Sequence, residues 1–272
     1  MSADSPEPPA GTRVPVPHAV NGGAPSGQRG RVVSQSYRGL PIYAAQGHHE
    51  ECFAMLGPWL RPGDSCLDLG AGSGAFARRM ADAGYDVQAN DLDPSSYGAK
   101  EVPFWSLDLN RPVPEQLRGR RFDLVIAMEL IEHLRDPIGF LEICRSFCKP
   151  GGMVLLTTPN TVDPISSCLF LKRGEYQFFN RQDYKGIGHI TILPHWLLES
   201  HLERVGLETV QRTSVGCNSP GKRRFARVLR WILERILGSR IPPELKSGDC
   251  IAYLLRNPDH ASRPERGGTA SA

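Results

Sequence analysis

Several things are scarce in this chain, and each scarcity excludes a class of protein. Its seven cysteines, Cys52, Cys66, Cys144, Cys148, Cys168, Cys217 and Cys250, are odd in number and contain no Cys-x-x-Cys pair. Neither a disulfide framework nor a zinc knuckle is expected, and a reducing cytoplasmic setting is. Cys144 and Cys148 share a helical register and read as small buried hydrophobes. No run approaches the roughly 18 apolar residues that span a bilayer, and no basic segment leads into an apolar core at the start. Neither secretion nor a transmembrane anchor is expected. Net charge is small, 32 Lys and Arg against 29 Asp and Glu, or +3, which disfavours nucleic acid as a partner. Large apolar residues are rare in residues 1–35, where Pro, Gly, Ser and Ala prevail. That segment and the polar tail 257–272 are expected to be disordered, because neither buries enough surface to offset chain entropy. Internal repeats are absent.

What remains, residues 36–256, is long enough for one α/β core with additions. Apolar strand patterns near 64–69, 86–90, 104–107, 122–128, 153–158, 206–213 and 249–255 alternate with helical ones. That alternation predicts a mostly parallel sheet with helices on both faces. A helix is expected over His48–Leu60, and Asp136–Pro137 reads as an N-cap followed by proline at the first helical position. Lys149-Pro150-Gly151-Gly152 is expected to be a loop that stops one helix and admits the next strand. Two insertions interrupt the alternation, at 161–188 and 221–246. The first carries Leu169, Phe170, Leu171, Phe178 and Phe179 among charges and is a candidate substrate lid.

The densest information lies in Cys66–Ala77, CLDLGAGSGAFA. A strand ends in Asp68, turns through Gly70, Gly72 and Gly74, and enters a helix, the arrangement in which bare backbone cradles a nucleoside ligand. Asp91 closes the next strand at the distance where a carboxylate grips a ribose. Read as Gly70-x-Gly72-x-x-Ala75, the loop also fits a permissive dinucleotide fingerprint, so an NAD(P)-dependent oxidoreductase stays open. Asp68 favours a different ligand: an acid before the first glycine repels a pyrophosphate and suits a cationic amino-acid moiety, such as that of S-adenosylmethionine.

With those residues, FDLVIAMELIEHLRDP over Phe122–Pro137 and CKPGGMVLLTTPN over Cys148–Asn160, the chain resembles the class I S-adenosylmethionine-dependent methyltransferases over roughly residues 46–210. Met128, Glu129, Glu132 and His133 look like the pattern of the ubiquinone-biosynthesis O-methyltransferases and related enzymes acting on small hydroxylated substrates. The resemblance implies a Rossmann-like seven-stranded sheet whose last strand is antiparallel. It also implies that Asp68, Gly70, Gly72, Asp91 and Met128 hold S-adenosylmethionine, with Asp108 at the adenine. The segment SYRGLPIYAAQGHHE lacks the tryptophan-rich and Arg-Ile-Asn-Pro segments of the ubiquinone enzymes, and the lid with its Phe178-Phe179 pair, the Gly188-His189 return and the helix at 222–237 look more like bacterial methyltransferases of glycan or secondary-metabolite pathways.

Methyl transfer from a sulfonium is an in-line displacement, so the enzyme must align the acceptor and remove its proton. Glu129, Glu132 and His133, at i, i+3 and i+4, are expected to project from one helical turn, with His189 returning nearby after the lid. Two carboxylates and two imidazoles suit a divalent metal, the oxygens favouring Mg or Mn and the histidines tolerating Zn or Fe, and the ion would acidify an acceptor hydroxyl. The same four residues resemble the metal site of small-RNA 2′-O-methyltransferases. The alternatives left open are a Glu132–His133 pair that shapes the turn, His133 as a metal-free base, and a structural His189. A cofactor-binding subunit without turnover also remains. His48, His49, His195 and His201 are expected at solvated positions, and Tyr37 and Tyr43 precede the core where a flap over the cofactor would form.

The second insertion contains GKRRFARVLRWILERILGSR. Phe225, Val228, Leu229, Ile232 and Ile236 fall at helical spacing among arginines, which predicts a basic amphipathic helix over 222–237. Such a helix suits peripheral contact with the inner face of an anionic membrane and a lipid-linked acceptor, or else packs on its own protein with its arginines in solvent.

Overall fold

The computed structural model describes residues 35–217 and 241–259, together with residues 224, 228, 231, 232 and 235. The expected disorder of the two tails and most of the basic helix therefore lie outside the described residues.

A short hairpin of β1 (Ser36–Tyr37) and β2 (Leu40–Pro41) precedes α1 (His48–Leu56). The core then alternates: β3 (Ser65–Leu69), α2 (Ala75–Asp82), β4 (Asp86–Asp91), β5 (Phe104–Ser106), β6 (Phe122–Met128), α3 (Pro137–Phe147) and β7 (Cys148–Pro159). After α4 (Pro164–Arg173), α5 (Arg181–Gly186) and α6 (His195–Val205), the sheet is completed by β8 (Glu208–Val215) and β9 (Cys250–Arg256). The seven strands lie in the order β5-β4-β3-β6-β7-β9-β8. The last strand, β9, is antiparallel to both neighbours, and the pairs from β5 to β7 are parallel. The Rossmann-like sheet expected from the sequence is the one observed.

Both faces of the sheet are buried, and the strand period of two sorts their residues. Leu67, Leu69, Val125 and Ala127 face α3 and α6 in one apolar cluster. Cys66, Leu124 and Ile126 face α1 and α2 in the other. Because β3 and β6 are parallel neighbours while the chain runs outward from β3 to β5 before returning, the loops leaving β3 and β6 diverge. The carboxyl ends of β3 and β6 are therefore the topological switch point, the place where ligands bind in open α/β sheets.

Three expectations change. Helix α1 ends at Leu56, whose carbonyl accepts the N–H groups of Trp59 and Leu60 at 2.9 and 3.2 Å, so Gly57–Leu60 is a turn. Lys149–Gly152 belongs to β7, at a register shift against β6. Gly151 N–H donates to the Asn257 carbonyl at 2.7 Å and Asn257 N–H to the Gly152 carbonyl at 2.9 Å, which satisfies the backbone that a loop would leave to solvent. Asn257 is itself buried, its side chain donating to the Cys148 carbonyl at 2.9 Å, so the chain is fixed beyond the point where a loose tail was expected.

Candidate active site

The loop after β3 is held by strain and by its neighbours. Gly74, which caps α2, has φ +81°, and a Cβ there would lie 2.7 Å from both Ala99 Cβ and Tyr97 Cε2. Gly70, φ +68°, would bring a Cβ within 2.9 Å of Leu130. At Gly72 an added Cβ would meet, among the described residues, only Tyr43 Cδ2 at 3.8 Å, and Tyr43 is 63% exposed. Ser73 Oγ donates to the Pro41 carbonyl at 2.5 Å and Tyr37 OH to Asp82 at 3.1 Å. The β1–β2 hairpin is thereby fastened beside the glycine loop, where the sequence suggested a flap.

Asp91 braces that loop, its Oδ2 accepting Gly72 N–H at 2.7 Å and its Oδ1 accepting Asp93 N–H at 3.1 Å. Asp68 is buried and its Oδ2 has no hydrogen-bond partner among the described residues. Burial first, and then the charge of Asp91, push its carboxyl up to about 8. Two neighbouring carboxylates form an unfit cradle for a pyrophosphate and a fit one for a cation. Asp108 lies just past β5, accepting Asn110 N–H at 2.9 Å and pairing with Arg111 at 3.2 Å. Met128 is partly buried at the end of β6.

The loop after β6 does not form the helical turn expected of it. Glu129 has φ +49°, and only a 3-10 turn, Ile131–His133, follows. The Glu129 carboxylate is engaged by other elements. Its Oε1 accepts from Thr157 Oγ1 at 2.9 Å and its Oε2 from the Cys250 thiol at 3.1 Å.

Glu132, His133 and His189 do converge, one ligand atom of each lying within 4.8 Å of the others. The cause is local: the Glu132 carbonyl accepts the N–H groups of Ile190 and Thr191, both at 3.0 Å, which pins the returning segment to the turn. His133 Nδ1 donates to the Gly188 carbonyl at 3.1 Å and His189 Nδ1 to the Phe178 carbonyl at 2.7 Å. A carbonyl only accepts, so both rings carry their proton on Nδ1 and offer Nε2 as a lone pair. Burial lowers His133, and burial with the neighbouring His133 ring lowers His189 to about 4. Glu132 is fully buried; one oxygen accepts from Thr158 Oγ1 at 3.2 Å and the other has no partner among the described residues. Burial and the nearby Glu129 raise its carboxyl well above the usual range.

A sequence profile described as a methyltransferase domain matches residues 45–212. The chain belongs to the methyltransferase-domain family. Ubiquinone biosynthesis O-methyltransferase of Cereibacter sphaeroides is 36% identical to this methyltransferase domain over 100 residues, 35% of this chain and 40% of that one. The enzyme of the same name from Xanthomonas campestris is 35% identical over 124 residues, 42% and 51% of the two chains. The match thus spans about half or less of these relatives' length. Among solved structures, a putative methyltransferase of Bacillus halodurans superposes with a TM-score of 0.54 at 16% identity, covering 77% of this chain and 98% of that one. An S-adenosylmethionine-dependent methyltransferase of Mesorhizobium loti gives 0.51 at 16%, covering 76% and 96%. At such identities the likeness is one of fold. Family membership favours S-adenosylmethionine as the cofactor over the dinucleotide alternative.

The sequence did not point to several residues of this region. His48 and His49, expected in solvent, are buried, because α1 packs its first turn inward. Thr157 and Thr158 sit in a motif noticed only as a landmark. Cys250 reaches Glu129 through the pairing of β9 with β7, which brings Cys250 opposite Pro159, a long-range register that no local pattern encodes.

Proposed function

We propose that the chain transfers the methyl group of S-adenosylmethionine to an oxygen of a small or lipid-linked hydroxylated acceptor, a glycan, a phenol or a related metabolite, with Mg or Mn bound by Glu132, His133 and His189. The observation that carries the metal reading is the pairing of a buried, unpartnered Glu132 oxygen with two imidazoles whose Nδ1 atoms are already committed to carbonyls. A divalent ion there would supply Lewis acidity to lower the pKa of an acceptor hydroxyl. Glu129, given to Thr157 and Cys250, adds negative charge beside the site rather than a fourth ligand to it.

Asp68 and Asp91 suit the cationic amino-acid end and the ribose of the cofactor, Gly70 and Gly72 let it approach the backbone, and Met128 packs beside it. Asp108, near the adenine by family likeness, holds a turn. With an ion bound, Glu132 and His133 would orient the acceptor through it; without one, the free Nε2 of His133 is the group that would take the acceptor proton. The ubiquinone-enzyme relatives support oxygen as the acceptor atom. An RNA 2′-O-methyltransferase and a subunit without turnover are less favoured, the first by the small net charge, the second by the convergent polar cluster.

A lipid-linked acceptor is supported by exposed apolar side chains flanked by cations. Val228, Trp231 and Ile232 are 59%, 63% and 43% exposed at helical positions, with Arg224 and Arg235 on the same stretch. In the lid, Phe170 and Leu171 are exposed beside Lys172 and Arg173. No helix among the described residues is long and apolar enough to cross a membrane.

The test is methyl transfer to a panel of catechol and polyhydroxy acceptors, free and lipid-linked, with chelator and with Mg or Mn restored. Activity that chelation removes and the ion restores supports the reading. Turnover indifferent to chelator rejects the metal, and transfer to nitrogen alone rejects the acceptor class.

A further inference from the structure

A second polar cluster lies beneath the first and the methyl-transfer reading does not use it. His48 at the start of α1, Glu129 after β6 and Cys250 at the start of β9 bring one ligand atom each within 4.8 Å of one another. His48 Nε2 is 3.9 Å from Glu129 Oε1, and Cys250 Sγ is 3.1 Å from Glu129 Oε2. His48 is fully buried, and neither of its ring nitrogens has a hydrogen-bond partner among the described residues. A buried imidazole without a partner forfeits roughly 1–3 kcal/mol of desolvation per orphaned group, so its retention at this spot calls for a ligand.

The chemistry of the donors decides which. The groups whose charge bears on Cys250 and Glu129 are acidic: Asp249 acts on both, and Glu132 on Cys250. One thiol, one neutral imidazole and one carboxylate are the ligand types of zinc, and a tetrahedron with Zn–N, Zn–O and Zn–S bonds of about 2.0–2.3 Å has edges of about 3.3–3.8 Å. His48 Nε2 stands 3.9 Å from one Glu129 oxygen and Cys250 Sγ 3.1 Å from the other, with one ligand atom of each residue within 4.8 Å of the others. Seating an ion would need side-chain shifts of about 1 Å and release of the thiol proton.

We infer that His48, Glu129 and Cys250 form a binding site for a thiophilic divalent cation of the zinc class, separate from the oxygen-and-imidazole site at Glu132. Its three ligands come from α1, β9 and the loop that follows Met128. An ion there would tie the first helix and the last strand to the carboxyl end of β6 and hold Glu129 in its left-handed conformation.

The experiment loads the full chain with Co(II) in the presence of saturating S-adenosylhomocysteine, so that the amino group of the cofactor occupies its own position. Thiolate ligation gives a sulfur-to-cobalt charge-transfer band in the near ultraviolet, which the Glu132 site, lacking sulfur, cannot give. The band is expected in the unaltered protein and in His189→Ala, and is expected to vanish in Cys250→Ser. Should Cys250→Ser fail to fold, X-ray absorption on the zinc-loaded unaltered protein replaces it, with one sulfur expected at about 2.3 Å. Absence of the band at saturating cobalt, its survival in Cys250→Ser, or a zinc shell without sulfur would each overturn the site.

Discussion

His133 and His189 meet edge to face, ring centroids 4.8 Å apart at 73°, and each gives its Nδ1 proton to a main-chain carbonyl of the segment between them. The lid thereby fixes the tautomers of both imidazoles. Residues 56 positions apart in the chain become one ligand pair because Gly188, at φ +80°, lets the backbone turn back over the Glu132 carbonyl.

Glu132→Gln keeps the shape of the site and removes its one anionic ligand. Methyl transfer should fall by about 10²-fold or more, on the scale of losing the group that activates the acceptor proton, while S-adenosylhomocysteine affinity stays within about twofold. Steady-state kinetics beside calorimetry reads both. Equal losses in the two would assign Glu132 to cofactor binding instead.

Asp68 carries a pH signature. Its carboxyl, raised to about 8 in the folded chain against an ordinary 3.8, leaves the native state holding more protons than the unfolded state between those values. Stability from this group is therefore complete below about pH 4 and declines as pH rises towards 8. Asp68→Asn should stabilise the ligand-free protein more at pH 8 than at pH 5, in thermal melts at both. The same variant should abolish the proton release that accompanies S-adenosylmethionine binding at pH 7, measured in buffers of different ionisation enthalpy.

Gly74→Ala combines a left-handed backbone with a collision against Ala99 and Tyr97. A cost of about 1–3 kcal/mol is expected, a fall in Tm of several degrees. Gly119→Ala is the control, since it shares the positive φ, +85°, with nothing within 4 Å of the added Cβ. The excess loss at Gly74 measures the collision alone, and equal losses would remove close packing from the account of this loop.

Val228→Ser, Trp231→Ser and Ile232→Ser together should release the protein from vesicles containing phosphatidylglycerol while leaving its melting temperature unchanged. Co-sedimentation with anionic and with neutral vesicles separates charge from apolar contact. Binding unaffected by the three substitutions would move the contact elsewhere.

The sheet was legible because its strands are continuous apolar runs set off by glycines, and the cofactor loop because Asp68, Gly70, Gly72 and Asp91 are local in sequence. The Glu132–His133 pair was legible for the same reason, and His189 only through its nearness to the lid. The helical turn expected to carry Glu129, Glu132 and His133 gives way to a 3-10 turn because Glu129 sits at positive φ, of which helical spacing takes no account. His48 was misjudged because charges beside it in sequence, Glu50 and Glu51, suggested solvent, whereas the pairing of β9 with β7 encloses it. Such enclosure depends on residues some 200 positions away.

The central claim is that this fold binds S-adenosylmethionine and not a dinucleotide. Calorimetric titration of the full chain with S-adenosylhomocysteine, and separately with NAD and NADP, tests it. Saturable binding of S-adenosylhomocysteine, weakened at least about tenfold by Asp91→Ala as hydrogen bonds to a charged group are lost, is the predicted result. Saturable binding of either dinucleotide, with no heat from S-adenosylhomocysteine, would contradict it.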